Sequence, residues 1–434
     1  MAYQTTIETG WPRKAAPALA MAAGVLAFAV LYHVMDRTRL TDLMSLWGFK
    51  AWAFPFLDTE TVMSALRCLR QGVDVFVANP CDPLDRVYDY SPVWLLFAVF
   101  PVTEAWLTPV GLSIDIAFIL SLLLLPAARD RVATAVIIFA LASTAVVYAV
   151  ERGNNDLVIF ALAACAAALA GASRGARLIG YALAYIAGLL KYYPMLLMLT
   201  AARERPRTFF SVALISVLIL AALLAIGGHD LARALALIPT GPYLGDRYGA
   251  KNLPAGIADL AGYPEAWIPY AQSVFSVVAL AAGILLGRRE KVGRDLAVLN
   301  EPELAFLLTG ALLIIGSFFT AQNIGYRAVH LVLLLPGLTA LWRGGRGKTF
   351  YGAVVFAVLF LLWSEGIRTW LGYALDLTPG GGWKVRRLFW LGRELLWWGL
   401  VILFVEIATS MLLRSEMALA VRGWFRPSRS LPAR

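Results

Sequence analysis

Apolar and polar positions along this chain fall into long blocks: apolar runs, each closed by a short charged knot, with one extended polar interruption near the start. A helix crossing a bilayer needs roughly 20 apolar residues, or fewer where neighbours shield its ends. Runs of this kind occupy 15–35, 108–128, 132–149, 157–172, 208–227, 268–287, 302–320, 327–342, 349–364 and 391–413. Residues 92–106 are apolar but short and proline-bounded, which predicts an interfacial or re-entrant segment. Two short runs, 178–190 and 194–202, are split by Lys191-Tyr192-Tyr193-Pro194. Neither spans alone, so they predict a broken helix pair around a buried lysine, because irregular backbone at membrane depth survives only against protein or a water-filled cavity. Together the runs predict an all-α polytopic integral membrane protein, one domain over 1–434, with about twelve spans.

Between the runs lie three outer loops, 36–91, 228–267 and 365–390, and a basic tail, 414–434. The first loop carries Asp58, Glu60, Asp74, Asp82, Asp85 and Asp89 beside Arg67, Arg70 and Arg86. Within it, Val62, Ala65, Leu66 and Leu69 share one face at helical spacing, predicting a short surface helix over 59–71 with Asp58 before it and Gly72 as its stop. Basic clusters at 129, 174, 203, 288, 343 and 414–434 all fall on one side of this topology. That bias assigns them to the cytoplasm and predicts a multi-pass protein of a plasma (inner) membrane with both termini cytoplasmic. Arg13 and Lys14 precede the first run without a clear small-residue cleavage site, which favours a retained span over a cleaved signal. Arg368, Lys384, Arg386, Arg387 and Arg393 resist the scheme. Either the last spans are misplaced or these charges meet anions.

Composition agrees with the pattern: 60% hydrophobic residues, 15% charged, mean hydropathy +0.71. The net charge of +10 sits in short clusters between apolar runs, so it marks loops and not a nucleic-acid surface. Cys68, Cys81 and Cys165 form no CxxC, and His33, His229 and His330 are scattered, so no metal site is expected. No cofactor is expected either: a phosphate-binding GxxxxGK[ST] loop, a Gly-rich dinucleotide turn, GxSxG and HExxH are all missing. Cys68 and Cys81 share the first loop, and both a bridge and two free thiols remain open.

Ionisable residues beside long apolar runs are costly unless paired or hydrated, which makes them functional candidates. Four groups qualify, all on the predicted outer face. Asp58 fits either a helix N-cap or an outward-facing general base. Arg152, Asn154, Asn155 and Asp156 form a polar knot longer than a minimal turn requires, and amides with an Arg fork suit sugar hydroxyls and phosphate oxygens. Lys191, with Tyr192, Tyr193 and Pro194, either snorkels to the interface or neutralises a lipid phosphate. Gln322, Asn323, Tyr326, Arg327 and His330 form the fourth group. A turn accounts for Asn323 and Gly325, but not for Arg327 and His330, which share one helix face at the head of an apolar span.

The order of these motifs resembles a known family. Asp58 precedes a helix ending in Leu69-x-x-Gly72-x-Asp74-Val75-Phe76; Tyr88-x-Tyr90-x-Pro92 follows, then Arg152 to Leu157 and Lys191 to Pro194. This arrangement is similar to glycosyltransferase family 87 of the GT-C superfamily, the polyprenyl-phosphate-mannose-dependent mannosyltransferases, over roughly residues 50–340. The resemblance implies a GT-C-type fold and transfer of a hexose, mannose first among them, from a polyprenyl-phosphate-sugar donor to a glycolipid or glycan acceptor on the outer side. It implies neither nucleotide nor obligatory metal. Asp58 would be the catalytic aspartate, and Lys191 and Pro194 would match the lysine–proline box. Two rivals share the topology: a transporter or flippase for a lipid-linked glycan, against which the missing internal repeat counts, and a ligase using a pyrophosphate donor.

Overall fold

The computed structural model describes residues 11–52, 54–344, 347–375 and 382–424. In chain order its helices are α1 (Trp11–Val34), α2 (Arg37–Leu46), α3 (Leu57–Arg70), α4 (Leu107–Leu122), α5 (Arg131–Leu141), α6 (Thr144–Glu151), α7 (Asn155–Leu169), α8 (Arg174–Lys191) and α9 (Pro206–Ala236). They continue with α10 (Asn252–Ala261), α11 (Ile268–Gly287), α12 (Glu290–Leu296), α13 (Glu301–Thr320), α14 (Leu335–Gly344), α15 (Lys348–Ala374), α16 (Trp383–Leu412) and α17 (Glu416–Trp424). Tighter 3₁₀ segments cover Pro92–Val99, Tyr193–Arg203 and Gly325–Leu334. Among the described residues the strands are two short ones, β1 (Arg247–Tyr248) and β2 (Asn323–Ile324), paired antiparallel with Arg247 opposite Ile324.

Helix starts follow local chemistry. Asp36, Asp130, Ser173 and Asn300 each accept a backbone N–H of the first turn, and Asn300 with Glu303 completes a capping box. Among the described residues, eight helices are long and apolar enough to cross a membrane, or nine if α5 and α6, bent by 49°, form one span. The protein is therefore an all-helical membrane protein with fewer such spans than the twelve expected from the apolar runs. The reason is breakage: α7 is a 15-residue helix, and α8 stops at Lys191 and resumes as a 3₁₀ segment. The broken pair around a buried lysine is present, and residues 92–99 form a short turn helix with Leu96 and Val99 exposed, fitting an interfacial segment.

Other expectations change. α3 begins at Leu57 and is buried from there through Leu66, so it is no surface helix; only its end, at Leu69, reaches the surface. α9 runs past 227 to Ala236, with a kink at Gly227, which shortens the second loop. α15 and α16 occupy most of the third loop; 376–381 and the tail beyond 424 lie outside the described residues. The charges that resisted the topology sit on those helices: Glu365 accepts from Arg368 Nε (2.7 Å) and from Arg393 Nη1 (2.8 Å).

The centre of the bundle is α13 packed on the 3₁₀ segment Gly325–Leu334 and on α14, whose faces are buried from Phe306 to Phe318 and from Ala328 to Leu341. In lipid such burial gains close packing more than release of water. α13 also sets the polarity of the molecule. At its start, Glu301 and Glu303 accept from Arg203 (2.6 Å) and Arg129 (2.8 Å), while Arg343 meets Asp130 (2.6 Å). Its other end, Thr320, lines a polar cavity. Twenty residues at 1.5 Å each separate the two poles by about 30 Å. Basic knots gather at one pole; the four candidate groups gather at the other.

Candidate active site

Two helix ends meet to build the first half of this pole. The N–H groups of Phe56 and Asp58 donate to the carbonyls of Glu151 (2.8 Å) and Arg152 (3.0 Å), where α6 finishes. Orphan donors at one helix start thus satisfy orphan acceptors at another helix end, with dipoles aligned favourably. Thr59 Oγ1 locks the junction by donating to the Gly153 carbonyl (2.7 Å). Gly153 has φ +53°, and a Cβ there would fall 2.4 Å from that hydroxyl, so the turn requires glycine.

This junction answers the question left open at Asp58. It is the second residue of α3, the N-cap position is Phe56, and no side chain caps the helix. Its carboxylate faces elsewhere. Oδ1 accepts from Arg152 Nε (2.9 Å) and Nη2 (2.6 Å), and Oδ2 accepts from Asn154 Nδ2. Asn154 is itself the N-cap of α7, accepting from the Asp156 N–H (2.7 Å), so one residue couples two carboxylates.

Asp156 is the second hub, with a fully buried side chain. It accepts from Lys191 Nζ (2.7 Å) and the Tyr193 hydroxyl (2.6 Å), and lies 3.4 Å from Arg327 Nε and 3.7 Å from His330 Nε2. Lys191 is therefore buried and paired, not snorkelling. The Pro92–Val99 turn and its N-cap fix the end of its helix: Ser91 Oγ and Trp94 Nε1 donate to the carbonyls of Leu189 (2.7 Å) and Leu190 (3.2 Å).

A cavity of about 790 Å³ opens beside both hubs. Asp58, Arg152, Lys191, Tyr192 and Arg327 reach its wall. Asn154 and Asp156 stand behind it as supports, and buried His330 lies behind Asp156 against the Tyr193 hydroxyl (2.5 Å). Asn155 is buried away from the cavity, and its amide nitrogen has no partner among the described residues. Among the described residues, three non-glycine residues have left-handed φ, namely Phe56 (+66°), Asp85 (+52°) and Tyr192 (+56°), and all three flank this pole. Such strain concentrates where the surroundings hold a functional arrangement.

Two wall residues escaped the sequence reading. Asp89 is half-buried and, among the described residues, no other side chain pairs with it; burial, reinforced by the charge of Asp58 and opposed by Arg327, pushes its carboxyl up to about 6. Its signal was its place inside the Tyr88-x-Tyr90 motif. Arg247 comes from β1, in the second loop, which carried no chemical signal of its own. Leu190, Leu235, Leu237, Ile238 and Ile324 supply an apolar side to the same cavity. Cys68 and Cys81 are joined by a disulfide, Cα–Cα 5.7 Å, which ties the end of α3 to its following loop. Among the described residues no group of three or more His, Cys, Asp or Glu is placed to hold a metal ion. Neither a protein-family model nor a curated protein matches the chain.

Proposed function

We propose that the protein is a GT-C-type membrane glycosyltransferase that moves a hexose, mannose in the first instance, from a polyprenyl-phosphate-sugar to a lipid or glycan acceptor at the extracytoplasmic face. The observation that carries this reading is the convergence of Asp58, Arg152, Lys191 and Arg327, from four separate stretches, on one cavity at the end of the bundle. The cavity pairs an apolar side, suited to a prenyl chain, with carboxylates and cations suited to the reacting groups. The disulfide fits a pole that faces an oxidising compartment.

In this mechanism the acceptor hydroxyl oxygen attacks the anomeric carbon as the bond from that carbon to the phosphate oxygen breaks. The electron pair leaves with the phosphate, the configuration inverts, and the hydroxyl proton passes to a cavity carboxylate. Asp58 is assigned that proton, and Asp89 stands beside it as the second carboxylate of the wall. The donor phosphodiester carries one negative charge and the departing monoester carries close to two. Cations fixed in a poorly hydrated site therefore stabilise the transition state more than the ground state.

Purified protein in detergent, given polyprenyl-phosphate-[¹⁴C]mannose and a membrane lipid extract, should transfer label to a new lipid or glycan. An intact donor after incubation, with donor moved across a proteoliposome membrane instead, would establish a transporter. Turnover of a polyprenyl-pyrophosphate glycan alone would establish a ligase.

A further inference from the structure

The cavity holds five cationic side chains, and four of them spend their charge inside the protein. Arg86 donates to Asp82 (3.1 and 2.7 Å), Arg152 to Asp58, and Lys191 to Asp156; Arg327 shares Asp156 and also donates to Asn323. Arg247 is the exception. Among the described residues its guanidinium makes no hydrogen bond or ion pair, although the residue is half-buried in the cavity wall. Asp246, its neighbour in sequence, feels its charge only through space and also that of Arg393 and Arg368; its carboxylate lies against Gly325, where a Cβ would fall 1.8 Å from Oδ1. Glu365 and Glu394 are engaged by Arg368, Arg393 and Asn252.

The backbone of Arg247 is held firmly. Its carbonyl accepts from Arg393 Nη2 (2.9 Å) and Asn252 Nδ2 (3.3 Å), and β1 pairs with β2 immediately before Arg327. The side chain lies over Gly241, where a Cβ would sit 2.9 Å from Nη2; the Gly241 N–H and carbonyl are both bonded to Gln322 (2.8 and 3.0 Å). A fixed, half-desolvated fork with no hydrogen bond or ion pair among the described residues is open to an anion, and the planar guanidinium matches two phosphate oxygens at once.

We propose that Arg247 is the residue that grips the donor phosphate, with the sequence-predicted Arg152 and Lys191 serving to hold Asp58 and Asp156. This inference rests on the donor reading above and deepens it. The second outer loop, which has no part in the family resemblance's named motifs, becomes a component of the site.

The test uses full-length protein and two probes, farnesyl phosphate and farnesol, with inorganic phosphate as competitor. Binding is measured by calorimetry in detergent for the wild type, Arg247→Ala, Arg247→Gln, Arg247→Lys and, at the opposite pole, Arg203→Ala. Losing a charge-assisted fork should weaken farnesyl phosphate by about 10- to 100-fold in the alanine and glutamine variants. Lysine should recover part of the loss, Arg203→Ala should match the wild type, and farnesol should bind all variants equally. Wild-type binding that favours farnesyl phosphate over farnesol, but persists unchanged in both Arg247→Ala and Arg247→Gln, overturns the role of Arg247 and leaves the donor reading standing. A wild type that does not distinguish the two probes overturns the donor reading and this inference with it. Displacement by inorganic phosphate alone, without any preference for the prenyl ester, assigns the fork to free phosphate and also overturns the proposal.

Discussion

The two poles of the bundle are both rich in ion pairs, yet they are built differently. At the basic pole two of the pairs are simple and wet: Arg203–Glu301 has side chains 36% and 55% exposed, and Arg343–Asp130 has 43% and 34%, although Glu303 beneath Arg129 is buried. At the cavity pole the pairs are dry and shared. Asp156, with no exposure, serves Lys191, Tyr193, Arg327 and His330, and Asn154 links it to the Asp58–Arg152 pair. Exposed pairs contribute little because water and salt screen them. Buried pairs cannot be opened without stranding a charge. Charge at the first pole stays largely in reach of water; charge at the second makes a rigid frame around a cavity.

The heaviest blow to that frame should be Asp156→Ala. It strands Lys191 and Arg327 in a buried site, which should cost about 3–5 kcal/mol. The melting temperature should collapse together with any activity. The double variant Asp156→Ala/Lys191→Met should regain part of the loss; no recovery would show that the hub is not ionic.

Next comes Asp58→Asn. It keeps an acceptor oxygen for Arg152 but removes the charge and, with it, the proposed base. Transfer should fall roughly 10²–10⁴-fold, with a stability cost of about 1–3 kcal/mol from the weakened bond to Arg152. Turnover within a few-fold of the wild type would reduce Asp58 to an anchor for Arg152 and pass the proton to Asp89.

Asp89→Asn should act oppositely on stability. The folded carboxyl titrates near 6, above its usual value near 4, because burial disfavours its charged form. The folded state thus binds the proton more tightly than the unfolded chain does. Stability is lost as pH rises from about 4 to about 6 and stays lost above that. At pH 7.5 the asparagine variant should be more stable by about 1–2 kcal/mol after allowance for partial exposure, and at pH 4 the gain should vanish. Melting curves at the two pH values check this; an equal gain at both would mean that titration is not its source.

The smallest effect belongs to the other pole. Arg203→Ala should change stability by less than about 1 kcal/mol, and less still in high salt. A loss as large as that of Asp156→Ala would erase the distinction between the poles.

Much of this molecule can be read from its one-dimensional pattern. Apolar runs of about 20 residues point to an all-helical membrane protein, because a bilayer leaves backbone groups no partner but one another and a helix satisfies them within one run. The broken helix at Lys191 and the standing of Asp58, Arg152 and Arg327 as candidates are also legible, since charge beside apolar runs is conspicuous. Three things were not. Whether an apolar run bends, as α5 and α6 do, depends on what packs beside it. Asp58 looked like a helix cap because a cap is a local arrangement; in the structure the end of α6, more than ninety residues away, supplies the carbonyls for those N–H groups and frees the carboxylate for Arg152. Arg247 gave no sign, because whether a charge is spent or available depends on which acids lie near it in space. Hydropathy is a property of each residue and is written in the chain; the pairing of charges is a property of distances, and only the folded structure decides it.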